Sequence, residues 1–181
     1  MGMRTGPLLL VVAVLLALAG CVPSDPRATA APTTSATPVF ASDAEALAAA
    51  EKAYAAYLKV SDEIAHDGGA NPERFSSTVT KAWLPSEIDS AEQLAKSGRR
   101  QIGSTSYSSL EVQQYVAGPG TPILVAYTCL NLSGTRVLDS NGTDVTPASR
   151  RLIQPVVVNF KLNAITFLVD KNEPWSGSDF C

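Results

Sequence analysis

The sequence predicts an α+β domain in which N-terminal helices pack on one face of a strongly bent antiparallel sheet. Between residues 43 and 97, apolar residues recur every three or four positions, as they do along one face of a helix. After Gly98 the apolar period falls to two, which is typical of half-buried strands. Helices followed by a run of strands with short connections indicate the α+β class.

Residues 1–20 have the pattern of a signal peptide that is removed from the mature chain. They contain one cation, Arg4, no acidic residue, and an apolar run of 12 residues from Leu8 to Ala19. This run is shorter than the roughly 20 apolar residues that a membrane-spanning helix needs. We therefore expect cleavage rather than a permanent transmembrane helix.

Cys21 follows Leu18-Ala19-Gly20 directly, which is the pattern of a bacterial lipobox. We expect diacylglycerol on its sulfur, because two or three acyl chains, at about 0.8 kcal/mol per buried methylene, give durable anchoring. An ordinary secretory cleavage beside an incidental cysteine is the alternative. Lipidation would place the chain on the extracytoplasmic face of the cell membrane, with the membrane as its first partner.

Residues 21–42 predict a flexible linker behind the lipidated cysteine. Pro, Ala, Ser and Thr dominate this segment, and Asp25 and Arg27 are its charged residues. Such a composition buries too little apolar surface to offset the entropy of ordering. Its prolines favour extended geometry, so we expect the linker to hold the domain tens of ångströms from the lipid surface.

Residues 43–181 remain for folding, which is the size of one domain. Without the signal peptide the chain carries 13 basic and 17 acidic residues, a net charge of −4. The adjacent basic pairs Arg99-Arg100 and Arg150-Arg151 are too sparse to neutralise a run of phosphates. The sequence therefore argues against nucleic acid as a partner.

Cys129 and Cys181 remain once Cys21 is assigned to lipid. An even pair in an oxidising compartment predicts a disulfide, which would fix the tail from Glu173 to Phe180. A reactive or metal-binding thiol is the alternative, but no second Cys/His cluster supports it. We expect no metal and no cofactor.

The helical half carries recognisable end signals. Ser42 and Glu45 form a capping-box pattern at the start of a long amphipathic helix, which Gly68-Gly69 ends. Asn71-Pro72 predicts a short helix with Asn71 as its cap. A third helix is expected from Ser86 to Ser97, again entered through a serine.

The sheet half begins with residues 101–116, which predict one bent strand or two shorter ones. A turn at Gly118-Pro119-Gly120 and a strand from Ile123 to Leu132 follow. Asn141-Gly142 predicts a hairpin between flanking strands, and Asp139 and Asp144 around it are expected to be solvated turn residues rather than calcium ligands. Two further strands are expected at 156–160 and 165–169.

Aromatic residues are the candidates for a ligand pocket, although core packing with the hydroxyls at the rim is the favoured explanation for Tyr54 and Tyr57. The candidate pocket consists of Tyr54, Tyr57, Trp83, Tyr107, Tyr127 and Phe160.

No residue is assigned a catalytic role. Asp62, Glu63 and Glu111 are the carboxylates that a general-base reading would use. His66 falls in the last turn of the first helix, where a cation favours the helix dipole. The sequence contains no phosphate-binding glycine loop and no zinc-protease HExxH motif.

A family resemblance rests on several stretches: Tyr127 to Val137, Asp139, Asn141-Gly142, Pro155 to Val158, and Glu173-Pro174-Trp175 up to Cys181. With the order of elements, these make residues 43–181 resemble uncharacterised actinobacterial lipoproteins with a nuclear-transport-factor-2-like domain. That resemblance implies a cone whose mouth can hold an apolar ligand. Some relatives in this superfamily are isomerases, dehydratases or cyclases that use an acidic residue or histidine in the cone, and others are binding modules.

The sequence thus leads to one main hypothesis, a non-catalytic, lipid-anchored extracytoplasmic domain that binds a protein partner or a small apolar ligand. The alternative is a small isomerase- or dehydratase-type enzyme that uses a carboxylate in the cone. A mechanical spacer or accessory subunit is a third. Fold alone does not choose among them, and the sequence does not indicate an oligomeric state.

Overall fold

A computed structural model describes residues 39–108, 110–117 and 122–181. The predicted signal peptide, Cys21, the linker up to residue 38 and the predicted turn at 118–120 lie outside the described residues. In chain order the elements are α1 (Asp43–His66), a 3-10 helix (Pro72–Ser77), α2 (Leu84–Lys96), β1 (Arg100–Gly103), β2 (Ser106–Tyr107), β3 (Glu111–Val116), β4 (Ile123–Asn131), β5 (Thr135–Leu138), β6 (Ile153–Asn163) and β7 (Thr166–Pro174).

Helix α1 begins where the capping pattern predicts. Ser42 Oγ accepts a hydrogen bond from the backbone N–H of Glu45 at 3.2 Å. The Glu45 carboxylate accepts from the N–H of Ala41 at 2.7 Å, one residue earlier than in the usual capping box. Beyond the helix end, Gly69 has a left-handed φ of 87°. A Cβ at this position would also lie 2.1 Å from the carbonyl oxygen of Ala91, so α2 can pack closely here only against glycine.

The other two helix starts differ from their predictions. Asn71 precedes the 3-10 helix with a left-handed φ of 52°, and its side chain makes no capping hydrogen bond. Helix α2 begins two residues before the predicted start at Ser86. Thr80 Oγ1 accepts from the N–H of Trp83 at 3.3 Å, and Pro85 occupies the first turn, where its missing N–H is tolerated.

The general α+β prediction is confirmed. Strand β4 lies at the centre of the main sheet, with β2 and β3 along one side and β6, followed by β7, along the other; every one of these pairs is antiparallel. This sheet curls into a half-barrel against which the helices pack. A separate two-stranded sheet joins β1 to β5.

Residues 101–116 form parts of three strands instead of one or two. The first break follows Gly103, whose φ is 81°. The backbone passes so close to Gly134 here that a Cβ at position 103 would lie 2.0 Å from the Gly134 carbonyl oxygen. After this bend the chain leaves the small sheet, and β2 joins the main one beside β4.

Asn141-Gly142 forms the predicted turn, with Gly142 at a φ of 83° and Asp139 accepting from the N–H groups of Asn141 and Thr143. The hairpin is short, however. Beyond the turn only Asp144 forms a ladder bridge to Leu138, and β5 takes β1 as its strand partner.

The core lies between α1 and the concave face of the sheet. Small alanines along α1 let the helix approach the sheet closely, and alternate strand residues point toward it. The buried side chains of β4, β6 and β7 that face α1 are Leu124, Ala126, Thr128, Val156, Val158, Phe160, Phe167 and Val169. Within the described residues, none of the helices combines the length and apolar character that crossing a membrane requires.

Candidate functional site

The space between α1 and the sheet is filled by four of the six aromatic residues that the sequence marks as candidate pocket residues. Tyr54 and Phe160 are 0% exposed and Tyr57 is 5% exposed. The Tyr54 ring lies 4.8 Å from that of Tyr107, 5.9 Å from that of Tyr57 and 6.3 Å from that of Phe160. These are distances of direct ring packing. The four side chains therefore form core and leave no room for a ligand between their rings.

The hydroxyl groups of Tyr54 and Tyr57 belong to a hydrogen-bond network with Asn172 and Glu87. Tyr54 donates to Asn172 Oδ1 at 3.2 Å, and Asn172 Nδ2 donates to the Tyr57 hydroxyl at 3.4 Å. Tyr57 in turn donates to Glu87 Oε1 at 2.9 Å. Burial raises the pKa of both tyrosines above the ordinary value of 10.0, and the charge of Glu87 raises that of Tyr57 further. Both hydroxyls thus stay protonated and can donate.

Glu87, like Asn172, is a member of this network that sequence reasoning missed. It is only 9% exposed, and its Oε1 also accepts from Trp83 Nε1 at 2.8 Å. Trp83 and Glu87 are four residues apart at the start of α2, a spacing that brings side chains together on a helix. That spacing was the available signal. The carboxylate holds α2 against Tyr57 of α1, which is a structural role.

Tyr127 lies apart from the other candidate pocket residues, on the convex face of the sheet. Its ring packs 4.7 Å from Trp175 and 5.4 Å from Phe180. Cys129, two residues on and on the same face of β4, is joined to Cys181, with their Cα atoms 5.7 Å apart. Tyr127 and the disulfide together hold the C-terminal tail against the sheet.

Of the three candidate carboxylates, only Asp62 is buried, at 8% exposure. It accepts three hydrogen bonds: from Thr105 N at 2.8 Å, Thr105 Oγ1 at 2.7 Å and Gln101 Nε2 at 3.1 Å. A carboxylate engaged in this way fixes the bend between β1 and β2 and is poorly placed to take a proton from a substrate. Glu63 and Glu111 are exposed to solvent.

His66 occupies the last turn of α1, as expected. Its Nε2 lies 2.6 Å from the carbonyl oxygen of Gly103, so this nitrogen carries a proton and donates. The bond ties the end of α1 to the end of β1, close to the bend that Asp62 holds. Histidine here supports backbone geometry.

A surface groove of about 450 Å³ runs between the second half of α1 and the segment from Ser104 to Tyr107. Leu58, which is buried, contributes to its floor. Lys59, Glu63 and His66 line it from the helix, so the groove combines apolar and oppositely charged groups. We call it the α1 groove.

In the part of the chain that the structure describes, no three His, Cys, Asp or Glu side chains come together as a group able to hold a metal ion.

No protein-family model matches the sequence, and a comparison with curated proteins finds no match. Among solved structures, the chain is similar to the intermembrane space region of chloroplast protein ARC6, with a TM-score of 0.50 and 11% sequence identity. The match covers 72% of this chain and 97% of that one. At this identity the likeness concerns the fold alone.

Proposed function

We propose that this chain is a lipid-anchored, extracytoplasmic domain that binds a protein partner at the cell envelope and catalyses no reaction. The observation that carries the proposal is the filled interior. Tyr54, Tyr57 and Phe160 are buried against one another, and the tyrosine hydroxyls are hydrogen-bonded within the domain. With the interior occupied, recognition falls to the surface.

The hydrogen bonds of the two buried carboxylates argue against the enzymatic alternative. A general base needs an accessible lone pair next to a bound substrate, whereas Asp62 accepts three hydrogen bonds from its own domain. Glu87, the other buried carboxylate beside the aromatic residues, accepts from Tyr57 and Trp83. Both carboxylates are used in holding helices and strands together.

The α1 groove is the surface that we assign to the partner. Lys59 and Glu63 are exposed at its rim, and the buried side chain of Leu58 supports its floor. An apolar centre with a charged rim is the usual anatomy of a protein interface. A partner segment that combines one apolar side chain with charges of both signs fits this arrangement.

We also propose that the domain is a nuclear-transport-factor-2-like cone. A curled antiparallel half-barrel with helices packed against it supports a nuclear-transport-factor-2-like cone of the kind found in actinobacterial lipoproteins. The anchor rests on the sequence pattern around Cys21. Metabolic labelling with radioactive palmitate tests it, with Cys21→Ser as the control. We expect label and detergent-phase partition only when Cys21 is present.

Partner binding is tested by placing a photo-crosslinking amino acid at Lys59 in the α1 groove and, as a matched control, at Lys96. The control is a lysine of α2 whose side chain is 74% exposed. We expect a discrete protein adduct in cells from position 59, which is lost when Glu63→Lys inverts the rim charge, and none from position 96. An apolar small molecule retained by the purified chain in native mass spectrometry, together with equal crosslinking at both positions, would contradict the proposal.

A further inference from the structure

The tip of the β6–β7 hairpin exposes an apolar side chain to an unusual degree. Ile165 is 80% exposed, more than any other large apolar residue that the structure describes. The tip is tightly built, because Asn163 pairs with Thr166 and Ala164 adopts a left-handed φ of 55°. This rigid turn holds the isoleucine side chain in water, where transfer to an apolar environment would be favourable.

The hairpin lies at the end of the domain where the chain arrives from the linker. Phe40 is buried and stacks on Phe167 of β7, with ring centroids 5.1 Å apart. Val39, the first described residue, is 45% exposed beside this contact. Between Cys21 and Val39 there are 17 residues. Extended, they span up to roughly 60 Å, so the linker permits the hairpin to reach the surface that anchors the chain.

Strand register brings further exposed apolar residues to the same end of the sheet. Val116, the last residue of β3, pairs with Ile123, the first of β4, which in turn pairs with Lys161 two residues before the hairpin turn. Val116 is 46% exposed and Ile123 is 36% exposed. With Val39 and Ile165 they account for four of the seven exposed large apolar residues in the described part of the chain.

Basic residues surround the hairpin, although the whole chain has a net charge of −3. A groove of about 240 Å³ on one side is lined by Lys52 and Ile165. A groove of about 410 Å³ on the other side is lined by Lys81 and Lys161. Neither set of described lining residues includes a carboxylate. Lys161 also forms an ion pair with Asp170 at 2.8 Å, which leaves Lys52 and Lys81 as the freer cations.

Beyond Asp170, which pairs with Lys161, acidic groups in the first turn of α1 restrict where this basic surface can extend. Asp43 and Glu45 lie in the first turn of α1 and contribute to the electrostatic environment of Tyr115 on β3. They border the basic surface on the β3 side. An anionic surface would therefore be approached with the hairpin foremost, and Val116 of β3 would lie farther from that surface than Ile165.

We infer that the β6–β7 hairpin tip docks onto an anionic lipid surface, with Ile165 entering the interfacial region and Lys52, Lys81 and Lys161 facing the headgroups. The inference rests on the proposed lipid anchor and refines it, because the linker is then a short-range tether rather than a spacer. Each lysine near an anionic surface strengthens membrane partition roughly fivefold. That is too weak for capture from solution, but it is effective once a tether raises the local lipid concentration.

The experiment uses the acylated mature chain in vesicles of equimolar phosphatidylglycerol and phosphatidylcholine. Ile165→Trp places a fluorophore at the hairpin tip, and Leu152→Trp serves as the matched control. Leu152 is 48% exposed and immediately precedes β6, at the opposite end of the strand from the hairpin. After subtraction of the signal from Trp83 and Trp175, we expect spin-labelled lipid to quench position 165 several-fold more than position 152.

Removing the charges should weaken this quenching. Lys52→Gln with Lys81→Gln is expected to shift the docked fraction by an order of magnitude, at roughly fivefold per lysine, and vesicles of phosphatidylcholine alone should have a similar effect. Equal quenching at positions 165 and 152 in anionic vesicles would overturn the inference. Shielding of position 165 in native membranes but not in pure lipid vesicles would also overturn it, because the tip would then bind a protein.

A failure of the anchor is distinguished by a second tether. The unacylated mature chain carries an N-terminal hexahistidine tag and is attached to nickel-chelating lipid in the same vesicles. If palmitate labelling fails but position 165 is quenched in this form, the docking surface stands and the anchor does not. If acylation is demonstrated and position 165 is unquenched in both forms, the anchor stands and the docking inference is wrong.

Discussion

Replacing Glu87 by alanine is expected to lower the free energy of unfolding by about 2–4 kcal/mol. The variant removes the acceptor for two donors, the Tyr57 hydroxyl at 2.9 Å and Trp83 Nε1 at 2.8 Å. A donor left without a partner in a buried site costs about 1–3 kcal/mol. Tyr57 is 5% exposed and bears the full penalty, whereas the half-buried Trp83 recovers part of its loss from water.

Glu87→Gln is the matched control, because its amide oxygen still accepts both hydrogen bonds. It replaces charge-assisted bonds by neutral ones and should cost only about 1 kcal/mol. Combining Glu87→Ala with Tyr57→Phe removes donor and acceptor together. The double variant should therefore be more stable than the sum of the single losses predicts, by at least about 1 kcal/mol.

Urea unfolding followed by circular dichroism measures these differences, and Trp83 gives a local probe because its indole N–H loses its acceptor in Glu87→Ala. The reasoning would be refuted if alanine and glutamine at position 87 destabilised the domain equally. It would also be refuted if Glu87→Ala cost less than about 0.5 kcal/mol, the range of ordinary surface substitutions.

Three further predictions concern the disulfide, the buried tyrosines and a backbone contact. Cys129→Ser and Cys181→Ser should each lower the free energy of unfolding by about 4 kcal/mol in the chain-entropy model, since each opens the same loop of 52 residues; denaturant titration measures both. The pKa of Tyr54 in the folded protein lies above its unfolded value of 10.0. The contribution of its buried hydroxyl to the free energy of unfolding is therefore complete below pH 10.0 and is lost as pH rises through the folded-state pKa. Unfolding between pH 10 and 11.5 should therefore show a slope that Tyr54→Phe reduces by up to about 1.4 kcal/mol per pH unit. Gly103→Ala should lower the free energy of unfolding by at least about 3 kcal/mol, because backbone strain at positive φ is combined with a clash against the main chain. Gly142 has a similar φ of 83° but open space around it, so Gly142→Ala should lower the free energy of unfolding by only about 1 kcal/mol.

Each of these has its own contradicting result. Unequal losses for the two serine variants, or an unchanged stability of the parent chain in reductant, would mean that the cysteines are not joined in solution. An unchanged alkaline slope in Tyr54→Phe would place its hydroxyl in water. Equal losses of stability for the two glycine variants in thermal unfolding would mean that the close approach of Gly103 to Gly134 contributes nothing to the cost of the substitution.

Signals that depend on neighbouring residues could be predicted from the sequence. Ser42 caps α1 through an atom three residues away, and the helix ends just before Gly68-Gly69, where backbone freedom is needed. The start of α2 is predicted with an error of two residues, because Trp83 occupies the cap position without a capping side chain and Pro85 follows in the first turn. A helix start without a capping side chain gives the sequence no local signal for this boundary.

The aromatic candidates show where sequence reasoning stops. Tyr54, Tyr57, Tyr107 and Phe160 do come together, but their ring contacts fill the site that they were expected to line. Whether a cone is open or filled depends on side-chain packing across elements that are far apart in the chain. The alternation of apolar residues along a single strand carries no information about the distances between side chains of different elements.

Tyr127 could have been separated from this group by strand parity alone. Side chains two residues apart share a face, so Tyr127 had to lie on the same side of β4 as Cys129. The sequence already paired Cys129 with the C-terminal tail, and that tail packs on the convex face with Trp175 against Tyr127. Combining the parity rule with the expected disulfide would have excluded Tyr127 from the cone.

The two walls of the α1 groove are joined by hydrogen bonds of Asp62, one of the candidate general bases, and of His66. Asp62, part-way along the α1 wall of the groove, accepts from the backbone N–H of Thr105, and His66, one turn further along, donates to the carbonyl of Gly103. Both bonds fix the strand segment to the same face of α1. A groove whose two walls are joined in this way loses little entropy when a partner segment binds. Under the proposed function, Asp62 and His66 would therefore preorganise a binding surface.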